Sequence, residues 1–281
     1  CIIGVGLIGG SLARALRAAG QVREIVGAGR HAEHLQQAAA LGVIDRYETD
    51  PARAVEGADM VLVAVPLGAM ETVFAAIRDH LADGAVLTDA GSAKVSVIES
   101  AHRVFGAPVE FFVPGHPIAG TERSGVTASF TELYLGRRVI LTPLPETAAA
   151  AVARVRALWE AAGAGVVEMD PVHHDEVLAA TSHLPHVLAF TLVESLARLH
   201  DKKEIFEYAA GGFRDFTRIA SSDPVMWRDI CLANKTAIQT MIERFIGDLQ
   251  ALDRAVEARD GERLLQIFAD AKAARDRFVE K

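Results

Sequence analysis

Near the start of the chain Gly4-Val5-Gly6-Leu7-Ile8-Gly9 forms a G-x-G-x-x-G run. The chemistry this spacing serves is phosphate binding. The first glycine allows a tight turn, and the second lets the backbone approach a pyrophosphate. The third lets a helix pack close to a strand, so that the helix N-terminus turns its free N–H groups toward the phosphates. The motif needs a strand before it and a helix after it. Cys1-Ile2-Ile3 reads as the strand and Ser11-Leu12-Ala13-Arg14-Ala15-Leu16 as the helix. We therefore expect a dinucleotide held by Gly4, Gly6, Leu7, Ile8 and Gly9.

The end of the second strand chooses between cofactors. An acid there would bond a ribose 2′-OH and mark NAD. Glu24-Ile25-Val26-Gly27-Ala28 ends instead in Gly29-Arg30-His31. A small residue leaves room for a 2′-phosphate, and Arg30 can pair with it through a fork of charge-assisted bonds. His31 can assist. NADP is expected ahead of NAD; the plainer reading is a surface arginine, with NAD held by other groups. Val65 and Pro66, closing the strand that begins at Asp59, complete the expected cofactor contacts.

Four further segments gather polar groups. Asp89-Ala90-Gly91-Ser92-Ala93-Lys94 lies at a strand end. Ser92 can cap a helix, or offer its hydroxyl to a substrate or a catalytic histidine; Lys94 can simply be solvated. In Pro114-Gly115-His116-Pro117-Ile118-Ala119-Gly120-Thr121-Glu122 His116 is expected on a non-helical turn that two prolines stiffen. Histidine titrates near neutrality, which suits a general base, and we read His116 in that role. In Thr181-Ser182-His183-Leu184-Pro185-His186, Pro185 should kink a helix that carries His183 and His186 on about one face. No metal is expected at this pair, since a redox cofactor already supplies the chemistry. Gly211-Gly212 should form a tight loop ahead of Arg214 and Arg218, one of which can clamp a carboxylate; Trp227 can wall the pocket.

The elements that position these groups follow from periodicity. Residues 1 to about 105 alternate strand and helix, with strands at Asp59–Pro66 and Gly84–Asp89 and a helix from Ser92 to Phe105. Later strands at Val139–Pro143 and Val166–Met169 flank a helix from Glu146 to Ala162. This is an α/β fold, a Rossmann-like doubly wound domain with extra strands over 1–170. From Pro171 the strands stop. Helices are expected over Val172–Leu199, Lys203–Tyr208, Asp223–Arg259 and Glu262–Phe278, an all-helical C-terminal domain over 171–281. Apolar residues on several faces of these helices point to dimerisation.

Bulk properties narrow the function. A net charge of −8 argues against a nucleic-acid or anionic-membrane surface. No apolar run reaches the roughly 18 residues of a membrane span. Two cysteines give no disulfide framework, so a reducing cytoplasm is expected.

The six motifs in this order resemble the prephenate/arogenate dehydrogenase family, also called cyclohexadienyl dehydrogenases. They are Gly4 to Ser11, Asp89 to Lys94, Gly115 to Glu122, Ser182 to His186, Gly211 to Arg218 and Asp223 to Trp227. The resemblance covers essentially the whole chain. It implies a Rossmann-like domain, a helical homodimerisation domain and a cleft between them. It implies that His116 takes the proton of the substrate ring 4-hydroxyl, and that Ser92 bonds that hydroxyl or steadies His116. Arg218 would bind a substrate carboxylate, and His183, His186, Thr121 and Trp227 would line the pocket. The implied reaction is oxidative decarboxylation of prephenate or arogenate, with hydride passing to the nicotinamide and no metal required. Gly29-Arg30-His31 departs from the NAD-type members. No regulatory domain is expected after Lys281 and no fused mutase before Cys1, so tyrosine, a candidate feedback inhibitor, would act at the active site. Two rival readings stand. One is a β-hydroxyacid dehydrogenase or imine reductase with Lys235 as acid/base. The other is a non-catalytic NADP-sensing module.

Overall fold

The computed structural model describes residues 1–199 and 207–279. The short helix expected at Lys203–Tyr208 falls largely outside them. Two compact units emerge, Cys1–Lys235 and Thr236–Lys281.

The first unit is built on a parallel six-stranded sheet. Its strands are β1 (Ile2–Ile3), β2 (Val26–Ala28), β3 (Arg46–Glu48), β4 (Met60–Val63), β5 (Val86–Asp89) and β6 (Phe112–Val113). Their order, β3-β2-β1-β4-β5-β6, is that of a dinucleotide-binding fold, with the chain reversing direction beside β1. β4, Met60-Val61-Leu62-Val63, is an unbroken apolar run because helices cover both faces, while β5 starts apolar and ends in Thr88 and Asp89. On one face α1 (Leu7–Ala18) packs with Tyr134 and Trp159. On the other, Phe74 meets Phe112 edge-on at 5.5 Å between α2 (Met70–Ile77) and β6. Both rings are buried.

The extra strands do not extend this sheet. Pro114 has no N–H to continue the parallel ladder, and the chain turns into a separate sheet of β7 (Gly115–Ile118), β8 (Arg138–Leu141) and β9 (Gly165–Glu168). His116 pairs with Ile140 across an antiparallel ladder. It therefore sits on a strand, not on the turn the sequence suggested.

Pro171 opens a helix capped by Asp170, whose Oδ1 accepts from the Val172 and His173 N–H groups. This helix (Pro171–Leu178) passes through a π-helical turn, Ala179–His183, into Leu184–Ala197. The wide turn lies ahead of Pro185, whose ring cannot tolerate a regular turn before it. By length and composition Pro171–Ala197 could cross a bilayer, a feature the sequence reading did not expect. Its His174, Asp175 and His183 are instead buried in hydrogen bonds to β7, Lys94, Val95 and Asn234. The first compact unit thus runs well past residue 170.

Two further expectations need correction. Gly211 and Gly212 begin a helix (Gly211–Thr217) in place of a tight loop. The helix expected over Asp223–Arg259 breaks at Asn234, between Pro224–Ala233 and Lys235–Glu257. The second unit holds most of that last helix and Gly261–Val279. It exposes Ile246, Leu249, Val256, Leu265 and Phe268.

Candidate active site

The glycine loop has the form phosphate binding needs. Gly4 has φ +97°, and a Cβ there would lie 2.3 Å from the Ala64 carbonyl oxygen. A Cβ on Gly9 would lie 2.4 Å from the Gly4 carbonyl oxygen. Gly6, by contrast, faces open space, with no heavy atom within 4 Å of an added Cβ. A pyrophosphate can approach there, and the first-turn N–H groups of α1 have no intrahelical partner. The residues present fit a dinucleotide. Val65 flanks Gly4, and Tyr134, which sequence reasoning missed, donates its hydroxyl to the Ile8 carbonyl at 2.6 Å. Gly29 follows β2, and Arg30 and His31 are exposed at the entrance to the next helix, Ala32–Ala40.

The catalytic candidates converge beyond β5 and β7. His116 is buried on β7, and its Nδ1 lies 2.9 Å from His174 Nε2. His174 Nδ1 in turn lies 2.8 Å from Asp175 Oδ1. Asp175 also accepts the Lys94 and Val95 backbone N–H groups, and so caps the helix Val95–Phe105 from outside. Ser92 lies in the bend before that helix and does not cap it. The bond that steadies His116 comes from His174; Ser92 makes none to it.

Lys94 is not solvated. It is fully buried, donating to Asp89 Oδ2 and to the Gly115 carbonyl at 2.7 Å. Burial pulls its ammonium below the usual range against the opposing pull of Asp89. Burial likewise holds His116 well below the ordinary imidazole range, helped by His174, Lys94 and His183.

His183 and His186 face a shared wall. Trp227 stacks on His186 with ring centroids 3.8 Å apart and meets His183 edge-on at 6.1 Å. Asn234 Nδ2 donates to the Asp175 carbonyl and approaches His183 Nδ1 at 3.1 Å. An amide nitrogen only donates, so Nδ1 accepts and His183 carries its proton on Nε2. That Nε2 is buried without a partner among the described residues. His186 is of the opposite tautomer, because its Nδ1 faces the Ser182 carbonyl at 2.9 Å and must donate. The Ser92 backbone lies close enough to His183 to bias its charge.

Arg218 reaches across to Glu122, Nη1 to Oε2 at 2.9 Å. Thr121 adjoins Glu122 and accepts the Arg123 N–H. A substrate carboxylate at Arg218 would compete with Glu122. Lys235, the rival base, is exposed beside Asn234. His174, Asp175 and Asn234 were missed. Their signal was the His173-His174-Asp175-Glu176 run after a Pro-led helix start, which spacing alone does not tie to His116.

Burial pushes His183 down to about 4. The folded state then binds fewer protons than the unfolded state between about pH 6.5 and pH 4. Stability is complete above that window and falls by about 3 kcal/mol as pH drops through it. In His183→Gln the contribution should vanish. Urea unfolding at pH 7.5 and pH 4.5 checks this, and an equal pH dependence in wild type and variant would refute it.

Two family models match the chain. "Prephenate dehydrogenase, nucleotide-binding domain" covers residues 12–168, and "Prephenate dehydrogenase, dimerization domain" covers 170–270. The chain belongs to the prephenate dehydrogenase family. A cyclohexadienyl dehydrogenase of Zymomonas mobilis is 41% identical over 98% of this chain and 94% of its own. A prephenate dehydrogenase of A. aeolicus, solved with hydroxyphenyl propionate and NAD+, superposes with a TM-score of 0.90 at 38% identity, covering 98% of this chain and 96% of that one. A Synechocystis arogenate dehydrogenase superposes with a TM-score of 0.80 at 25% identity, covering 99% and 98%. The family placement sets the Lys235 and sensor readings aside.

Proposed function

We propose that this member of the prephenate dehydrogenase family oxidatively decarboxylates both prephenate and arogenate, giving 4-hydroxyphenylpyruvate and tyrosine. It works in the cytoplasm as a homodimer, with NADP as preferred cofactor. One observation carries the catalytic assignment. On β7 a buried histidine has one ring nitrogen held by the protein, while the other makes no hydrogen bond to any described residue.

Bound at the glycine loop, the nicotinamide supplies the acceptor for the hydride of the carbinol carbon. His116 takes the proton of the 4-hydroxyl at Nε2. Ser92 bonds the same hydroxyl and orients it. Arg218 leaves Glu122 and grips a substrate carboxylate. Loss of CO2 makes the ring aromatic, which draws the reaction forward. Trp227, His183, His186 and Thr121 enclose the ring and its side chain, and tyrosine competes for this same pocket. The functional division lies near residue 170, inside the first compact unit: the part before it holds the cofactor and supplies His116, Ser92 and Thr121, and the part after it supplies the other pocket residues and meets the partner subunit.

Initial rates with prephenate and arogenate, each against NAD and NADP, test the reading. Turnover with neither substrate would end it. The cofactor choice rests on Arg30. Arg30→Ala should raise the KM for NADP about tenfold to a hundredfold, the worth of a charge-assisted bond, and leave the KM for NAD nearly unchanged. Equal effects on both cofactors would reject the 2′-phosphate role.

A further inference from the structure

Three side chains behind the active site form a continuous hydrogen-bonded line, and their chemistry fixes which atom carries each proton. Asp175 takes two backbone N–H donors, from Lys94 at 2.8 Å and Val95 at 3.0 Å, so it is held as an acceptor. His174 Nδ1, 2.8 Å from Asp175 Oδ1, must then donate. A neutral His174 is left with a lone pair on Nε2, and that atom lies 2.9 Å from His116 Nδ1. His116 must therefore carry its proton on Nδ1 and present a lone pair at Nε2. His174 is fully buried, and Asp175 and His116 nearly so, so no bulk water supplies alternative partners.

We infer that Asp175 and His174 act as a relay behind His116, fixing Nε2 as its basic nitrogen and receiving the positive charge when it takes a proton. The inference rests on the reading of His116 as the base. The transfer balances. The substrate hydroxyl proton bonds to His116 Nε2, and the His116 Nδ1 proton passes to His174 Nε2. His116 ends neutral, and the imidazolium forms on His174, against the Asp175 carboxylate. No other reactant is consumed.

The surroundings explain why a relay is needed. His116 is faced by Lys94 from the start of the Val95–Phe105 helix, by His174 from the Pro171–Leu178 helix and by His183 from the π turn, none of them anionic. Burial and these neighbours disfavour a lasting charge on His116. His174 faces Lys94 as well, but it has Asp175 in contact and Asp89 nearby, both of which favour its charged form. The relay thus moves the charge from the worse site to the better one. His174 and Asp175 are positioning residues here: they act through His116 and need not touch the substrate.

The test compares His116→Asn, His174→Leu, His174→Gln and the double variant His116→Asn/His174→Leu, each as the full chain with prephenate and saturating cofactor. Glutamine can accept from His116 Nδ1 but cannot carry the proton, so it separates orientation from relay. We expect His174→Leu to lose about a hundredfold in kcat with KM within a few-fold. His174→Gln should recover part of that loss. In both, the acid limb of kcat/KM should move to lower pH, because the pair has lost the site beside Asp175 where its first proton rests. The double variant should be no slower than His116→Asn alone, since a relay has no work without its base. Should the leucine variant fail to fold, the glutamine variant carries the pH test alone. Full activity and an unshifted pH profile in His174→Gln or His174→Leu would overturn the relay. So would additive losses in the double variant. Undiminished turnover in His116→Asn would instead overturn the base assignment, so the two failures are distinguishable.

Discussion

His116→Asn is expected to lower kcat about a hundredfold to ten-thousandfold, the range a positioned general base contributes, with KM changed only a few-fold. Asparagine is the informative replacement. It is smaller than histidine, and its amide can still donate toward His174 Nε2, so no buried acceptor is left unpaired. Its nitrogen has no lone pair to accept a proton, so only the base is removed. The substrate carboxylate would still meet Arg218, and the ring would still lie in the pocket walled by Trp227, so binding should persist. Steady-state kinetics together with equilibrium binding of prephenate in the absence of cofactor measure both halves. A variant with kcat within threefold of wild type would remove His116 from the mechanism. One with intact kcat but greatly raised KM would make it a binding group.

What the sequence showed and what it hid divide along one physical line. The glycine loop, the alternation to residue 105 and the Pro-led helix starts at Pro171 and Pro224 are local signals, set by neighbours along the chain. His116, His183, His186, Trp227 and Arg218 could be picked out because each sits in a distinctive short motif. The partners that give those residues their state are remote. His174 lies 58 positions from His116, Asn234 lies 51 from His183, and Glu122 lies 96 from Arg218. Nothing in periodicity ties such pairs together. Serine caps helices, so Ser92 offered a cap beside its reading as a hydroxyl for chemistry; the capping carboxylate is Asp175, 80 positions or more downstream. The second sheet was hidden for a related reason. Strand propensity marks β8 and β9 but does not say which sheet they join, and it does not mark β7, where Gly115 and Pro117 read as a turn. The break at Asn234 follows from its side chain, which serves the Asp175 carbonyl and His183 together.

Lys94→Met should cost about 3–5 kcal/mol of folding stability, the loss found when one partner of a buried ion pair is removed. The Lys94 and Asp89 side chains are both fully buried. Asp89 is not held by Lys94 alone. Its Oδ2 accepts the Gly91 N–H at 2.7 Å and its Oδ1 the Gly115 N–H at 3.1 Å. Lys94 adds a bond to the Gly115 carbonyl, so the pair grips the backbone on both sides of the residue that precedes His116. Methionine fills much the same volume, so the loss should come from an uncompensated carboxylate and an orphaned carbonyl, with little from a cavity. Two consequences separate this account from general damage. Adding Asp89→Asn to Lys94→Met should recover part of the stability, because a neutral amide oxygen can still accept from one of the two backbone donors while the buried charge is gone. Activity should fall in both variants, because β7 loses an anchor beside the base. Urea unfolding of wild type, single and double variants supplies the measurement. A loss below about 1 kcal/mol in Lys94→Met would mean that solvent reaches Asp89 easily, and that the pair does not fix the strand that carries His116.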